Sequence, residues 1–99
     1  MENLIIQNIE IIRIQDYKNN PKLHNRAQAA KIREYIREFG FINPVLLDEN
    51  LEIIAGHGRV AVARDISMRD IPAIILSHLT DAQKCAYRIA DNKLTELGK

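Results

Sequence analysis

Cys85 is the only cysteine in the chain, so no internal disulfide can form, and the sequence suits a reducing compartment. Histidine is equally sparse: His24, His57 and His78 are too scattered for a recognisable zinc spacing. No Ser/His/Asp or Cys/His arrangement can be supported from spacing either. No apolar run approaches the roughly 20 residues that a membrane helix needs. The N-terminus lacks a secretory pattern, because Glu2 and Asn3 stand where a basic region would be, and Gln7, Asn8 and Glu10 interrupt the apolar run. A cytoplasmic location with no membrane contact is expected. Excess charge is missing as well: 14 Lys and Arg face 13 Asp and Glu, so no global basic field exists. Nucleic-acid binding would have to come from a local patch or from a partner domain.

What remains is one modest α/β domain of 99 residues, 46% hydrophobic and poor in aromatics, with no internal repeat. The isoleucine-rich stretch 4–14 reads as an opening strand with one buried face. Turn chemistry fills 16–25, with paired asparagines and Pro21, and Lys18, Lys22, His24 and Arg26 make this loop basic. A helix follows over 27–39. Ile32, Tyr35, Ile36 and Phe39 form its apolar stripe, with Asn25 as N-cap and Gly40 just past the end.

Val45–Asp48 and Leu51–Ile54 predict a two-strand hairpin, and 59–66 a short, largely buried helix. Residues 71–76 predict a strand whose early Pro72 implies an edge or a strand start. Thr80 and Gln83 form a capping box that opens a helix to about Leu97. Ala82, Cys85, Ala86, Ile89, Ala90, Leu94 and Leu97 make its apolar stripe, with Cys85 a small core residue, while Lys84, Arg88, Asp91 and Lys93 lie off it. The fold expected is a small mixed sheet with three helices, and residues 1–99 read as one domain or as a module of a longer protein.

Between the hairpin and the short helix lies Gly56-His57-Gly58-Arg59. A glycine turn from strand to helix can cradle an anion. Glycines let the backbone approach, helix-start N–H groups donate, and an arginine supplies a fork suited to phosphate. His57 adds a donor or an acid near neutral pH. The alternative is a tight turn in which the glycines only relieve strain. Arg26 and the loop before it could lie over the same ligand. Asp91 and Asn92 are chemically suited to holding Mg²⁺ through water beside a phosphate. Each also has a bland reading, as a solvated loop and an exposed helix face.

Taken together, Phe39-Gly40-Phe41-Ile42-Asn43-Pro44-Val45, Ile54-Ala55-Gly56-His57-Gly58-Arg59, Ile71-Pro72, and Leu79-Thr80-Asp81-Ala82-Gln83-Lys84 running into Ala90-Asp91-Asn92-Lys93-Leu94 resemble the ParB N-terminal (ParB/sulfiredoxin-like) domain. The resemblance covers about residues 8–97 and is closest to variants in phage, plasmid and mobile-element proteins, often attached to a DNA methyltransferase. It implies a ParB/sulfiredoxin-like fold and a nucleotide triphosphate, CTP or ATP with Mg²⁺, at the glycine turn. In partition proteins that turn is Gly-Glu-Arg-Arg. Gly56 and Arg59 match its ends, while His57 and Gly58 replace Glu and Arg. Asp91-Asn92 resembles a second motif, Glu-Asn followed by a later arginine, with Thr95 where that arginine is expected. The sulfiredoxin turn carries a catalytic cysteine that is missing here.

The function implied is a nucleotide- or phosphate-binding module in DNA partition, modification or regulation, reaching DNA through an attached or partner domain and open to homodimer formation. Gly56, His57, Gly58, Arg59, Arg26 and Asn92 would bind the nucleotide, with Asp91 toward Mg²⁺. Two alternatives stand beside it. One is a nuclease or phosphotransferase, with nucleotide hydrolysis also open, in which His57 is the catalytic acid or base. The other is a non-catalytic protein- or DNA-interaction domain.

Overall fold

The computed structural model describes residues 4–18 and 26–97, with side chains as far as Asp91. Strand β1 (Ile6–Glu10) leads into a 3₁₀ turn, and helix α1 (Arg26–Phe39) follows the loop. Strands β2 (Val45–Leu47) and β3 (Ile53–Ala55), helix α2 (His57–Asp65), strand β4 (Asp70–Ile75) and helix α3 (Asp81–Leu97) complete the chain. The four strands form one mixed sheet in the order β1-β4-β2-β3, with β2 parallel to β4 and both outer pairs antiparallel. This is the three-helix α/β architecture expected.

One face of the sheet carries the core. Ile9, Val45, Leu47, Ile53, Ile71 and Ala73 point to it and meet Val60 and Ala63 of α2, with Ile14 closing one end. The small β-branched and alanine side chains of α2 let it lie close to the strands, and Val60, Val62 and Ala63 are buried as its composition implies.

Several expectations change. The opening strand is shorter than 4–14, because Ile11–Arg13 coil into the 3₁₀ turn where alternation breaks down. Pro72 lies in a central strand, not at an edge or a strand start. It is tolerated because β2 begins pairing only at Ala73, so no β2 residue lies opposite Pro72. Helix α1 exists as predicted and Gly40 caps it at φ +81°, but none of its side chains is buried. The Asn25 cap and the loop residues Lys22 and His24 lie outside the described residues.

The largest correction concerns α3. Its capping box is present: the Thr80 amide donates to Gln83 Oε1 (2.9 Å) and the Gln83 amide to Thr80 Oγ1 (3.1 Å). Yet Ala82, Cys85, Ala86, Ile89 and Ala90 face outward, and the buried residues of the helix are Lys84 and Arg88. Cys85 is therefore a surface residue rather than a core one. The reason is the surface that α3 meets, which is polar. Lys84 Nζ donates to Glu49 (2.6 Å) and Asp48 (3.3 Å). Arg88 donates to Glu52 (3.2 Å) and to the Ile53 carbonyl (3.0 Å), and its guanidinium lies 3.7 Å over the Tyr17 ring. Leu94 and Leu97 lie beyond the described side chains.

Asp48 ties the hairpin to this seam. Its Oδ1 accepts the Asn50 and Glu52 amides (2.8 and 2.9 Å), which shapes the turn and lets Leu51 take φ +62°. Burial by itself would raise the Asp48 pKa, but those amides and the Lys84 ammonium outweigh it and hold the carboxyl below its usual range. The hydrogen bond from Lys84 likewise lowers Glu49. Asp48→Ala should therefore cost roughly 2–4 kcal/mol in urea unfolding, because three bonds are lost inside a buried turn. A depressed folded-state pKa adds stability that is present above the unfolded value and disappears as pH falls through the folded one. The wild-type chain should lose stability below about pH 4, and Asp48→Ala should show a flatter acid limb over the same range.

Candidate functional site

The glycine turn is built by close approach. Leaving β3, the chain takes φ +102° at Gly56, a left-handed conformation that side chains resist. A Cβ there would come within 2.6 Å of Val45 Cγ1 and 3.0 Å of Arg59 Nη2. At Gly58 a Cβ would meet Ile32 Cδ1 at 3.1 Å, so this glycine lets α1 approach α2. Both glycines thus have a packing reason, and the same packing fixes where the turn points. Helix α2 begins at His57, two residues earlier than expected, and its first intrahelical bond runs from the Val60 amide to the Gly56 carbonyl. The preceding amides have no acceptor within the helix, and Gly56 has no side chain to cap them.

Two side chains of the turn carry unused polar atoms. His57 Nε2 and Arg59 Nε are buried and have no hydrogen-bond partner among the described residues. Arg59 folds back so that Nη2 donates to the Pro44 carbonyl (3.2 Å), which leaves Nε unpaired. Burial lowers the His57 pKa and the Arg88 charge lowers it further, against Asp16 and Asp91, so the ring is neutral at neutral pH. Burial also works against the Arg59 charge, and Asp91 favours it. The guanidinium remains charged, as arginine does in proteins.

Asp91 of α3 thus lies within electrostatic reach of both His57 and Arg59. The Asn92 side chain lies outside the described residues. Arg26 is exposed at the start of α1, and residues 19–25 before it lie outside the described residues. Sequence reasoning missed Arg88, Tyr17 and Asp16 on the His57 side. Asp16 there pairs with Arg64 at 2.8 Å. It also missed a groove of about 340 Å³ that Arg59 shares with α1 and the segment after it, lined among others by Gln28, Ile32, Tyr35, Phe39 and Asn43. The signal was the aromatic stripe of α1 beside Phe41-Ile42, which reads as core until α1 is seen to have no fully buried side chain.

Among the described residues no trio of His, Cys, Asp or Glu could hold a metal by itself. A magnesium ion here would be one that arrives with phosphate oxygens and takes Asp91 as its protein ligand, the usual arrangement for Mg²⁺. Nor does any described helix have the length and apolarity to cross a membrane.

The profile of the ParB N-terminal domain matches residues 1–93. The chain belongs to that family. A ParB-like nuclease domain-containing protein of Escherichia coli K12, YnaK, is 49% identical over 71 residues, which cover 72% of this chain and 82% of YnaK. Caulobacter crescentus chromosome-partitioning protein ParB, solved in complex with CTP-γ-S, superposes with a TM-score of 0.76 at 20% identity, over 88% of this chain and 52% of that one. Arabidopsis thaliana sulfiredoxin shares the fold at a TM-score of 0.69 and 12% identity, over 86% of this chain and 97% of that one. The ParB-family domain therefore spans about half of the solved Caulobacter chain. The one cysteine of the chain, Cys85, stands exposed on α3.

The geometry separates the two glycines. Gly56→Ala should destabilise the domain by roughly 2–4 kcal/mol, because a strained φ and a sub-van-der-Waals contact with Val45 come together. Gly58→Ala should change stability by about 1 kcal/mol or less, since the terminal methyl of Ile32 can give way and alanine favours the helix. Urea unfolding of both variants checks the contrast.

Proposed function

We propose that this ParB-like domain binds a nucleoside triphosphate at the Gly56–Arg59 turn and passes the bound state to an attached or partner domain that acts on DNA. The observation that carries this reading is the pair of buried nitrogens on one turn, His57 Nε2 and the Arg59 Nε donor, that have no hydrogen-bond partner among the described residues, beside uncapped helix amides. Phosphate oxygens supply the acceptors that these groups lack. Arg59 also borders the groove against α1, where Tyr35, Phe39 and Ile42 offer apolar surface and Gln28 and Asn43 offer amides, a lining suited to a nucleoside. CTP is the first candidate, since the Caulobacter relative is complexed with CTP-γ-S. Asp91 would share a magnesium ion with the triphosphate, and Asn92 and Arg26 would add contacts from α3 and α1.

With His57 and Gly58 in place of a glutamate and an arginine, the turn itself offers one cation, so Arg59 carries the anion affinity. Calorimetric titration with CTP, ATP and GTP in Mg²⁺ should show saturable binding of at least one nucleotide, weakened tenfold or more in Arg59→Ala. Such a loss corresponds to about 1.4 kcal/mol or more. Absence of saturable binding at millimolar nucleotide would sink the proposal.

The name of YnaK favours a second reading, a nuclease in which the neutral imidazole of His57 acts as acid or base. Incubation with plasmid DNA separates the two. Cleavage that disappears in His57→Gln supports the nuclease, and intact plasmid together with nucleotide binding supports the binding module.

A further inference from the structure

The two edges of the sheet are treated differently. The edge at β3 is filled: the Gln15 amide donates to the Leu51 carbonyl (2.9 Å), the Ile53 amide to the Gln15 carbonyl (3.0 Å), and Arg88 to the Ile53 carbonyl (3.0 Å). β1 forms the other edge, with β4 on one side and, among the described residues, no strand on the other.

The direction of its backbone groups follows from the register. Gln7 lies opposite Ala73 and Ile9 opposite Ile71, and the Ile11 amide continues that row by donating to the Arg69 carbonyl (2.9 Å). Odd-numbered residues therefore exchange hydrogen bonds with β4. Asn8 lies opposite Pro72, which has no N–H to give, as an even row requires. The N–H and C=O groups of Ile6, Asn8 and Glu10, and of Leu4 ahead of them, point away from the sheet.

Natural edge strands are protected by lysine, proline, a bulge or a covering loop. Residues 4–10 read Leu-Ile-Ile-Gln-Asn-Ile-Glu, with no lysine or proline, and the β1–β4 register runs without a shift. Leu4, Ile5 and Ile6 are 57%, 70% and 60% exposed. A row of unpaired backbone groups flanked by apolar β-branched side chains selects an extended strand as its occupant.

We propose that this occupant is β1 of a second copy of the chain, the two strands pairing antiparallel about a twofold axis at Ile6. Antiparallel edges are self-complementary, and this register sets Ile6 opposite Ile6 and Leu4 opposite Asn8. It forms up to about six backbone hydrogen bonds and joins the two sheets into one of eight strands. Leu4 and Ile6 of both copies become neighbours on one face, so a single pairing covers these exposed residues of both chains. With 14 basic and 13 acidic residues, two copies approach without net repulsion.

Sedimentation velocity from about 10 µM to about 1 mM protein tests this, read beside amide hydrogen exchange. The expected result is a reversible monomer–dimer equilibrium. Outward amides at Ile6 and Asn8 should gain protection with concentration, while those of Gln7 and Ile9 are protected throughout. Asn8→Pro removes only an outward N–H, so the domain stays folded by circular dichroism while dimerisation weakens tenfold or more, and Ile6→Lys does the same by charge repulsion across the axis. A monomer at the highest concentration, or a dimer that both variants leave intact, would overturn the proposal. So would outward amides that exchange freely at every concentration.

Discussion

Everything at the functional end of this domain depends on the absence of a side chain at Gly56. β3 must reverse into α2 within one residue while resting on Val45, and the 2.6 Å that a Cβ would leave to Val45 Cγ1 admits only hydrogen. That contact holds the first turn of α2 against the end of β2. It lets Arg59 fold over the turn to the Pro44 carbonyl, and it sets His57 within electrostatic reach of Arg88 and Asp91 of α3. Rigidity and strain here have one origin. The turn can serve as a site because the core beneath it fixes its backbone, and glycine is the residue that makes the fixed geometry possible.

The second organising feature is the ionic seam under α3. The helix presents Lys84 and Arg88 to the hairpin and leaves Ala82, Cys85, Ala86, Ile89 and Ala90 in solvent. A helix docked through charges depends on ionic strength and on carboxylate ionisation more than one docked by apolar burial does. Asp91 is carried by the same helix one turn beyond Arg88, so the seam that places α3 also sets the distance of Asp91 from Arg59 and His57. Hairpin and last helix are thus joined through three carboxylates and two cations, Asp48, Glu49 and Glu52 with Lys84 and Arg88.

Most of the element order was legible in the sequence because hydrophobic period, the capping box and Gly40 are local signals, and they produced the helices and the hairpin nearly where they stand. What was not legible depends on which partner each face meets. The stripe of α3 has ideal spacing for a core helix, and nothing within 81–97 reveals that the surface opposite it carries Asp48, Glu49 and Glu52. The stripe of α1 likewise became one wall of a groove instead of core. Pro72 pointed to an edge or a strand start, yet it lies within a central strand, because the late beginning of β2 is a property of the sheet and not of β4. The position of the candidate turn was readable, because glycines between a strand pattern and a helix pattern are a local signal, whereas the electrostatic reach of Asp91 to it is a property of the packing of α3. Arg88 acts on His57, and stacks on Tyr17, only through tertiary packing.

The ParB family assignment and the geometry meet at one claim, that the turn between β3 and α2 is a nucleotide site with its own substitutions at the second and third positions. A backbone amide map of the domain during titration with CTP and Mg²⁺, by ¹H–¹⁵N correlation spectroscopy, addresses this most directly. The account predicts saturable shifts at His57, Gly58, Arg59 and Val60, and along the α1 groove at Gln28 and Ile32. Absence of saturable shifts at about 1 mM CTP, or shifts that gather elsewhere and spare the turn, would contradict it.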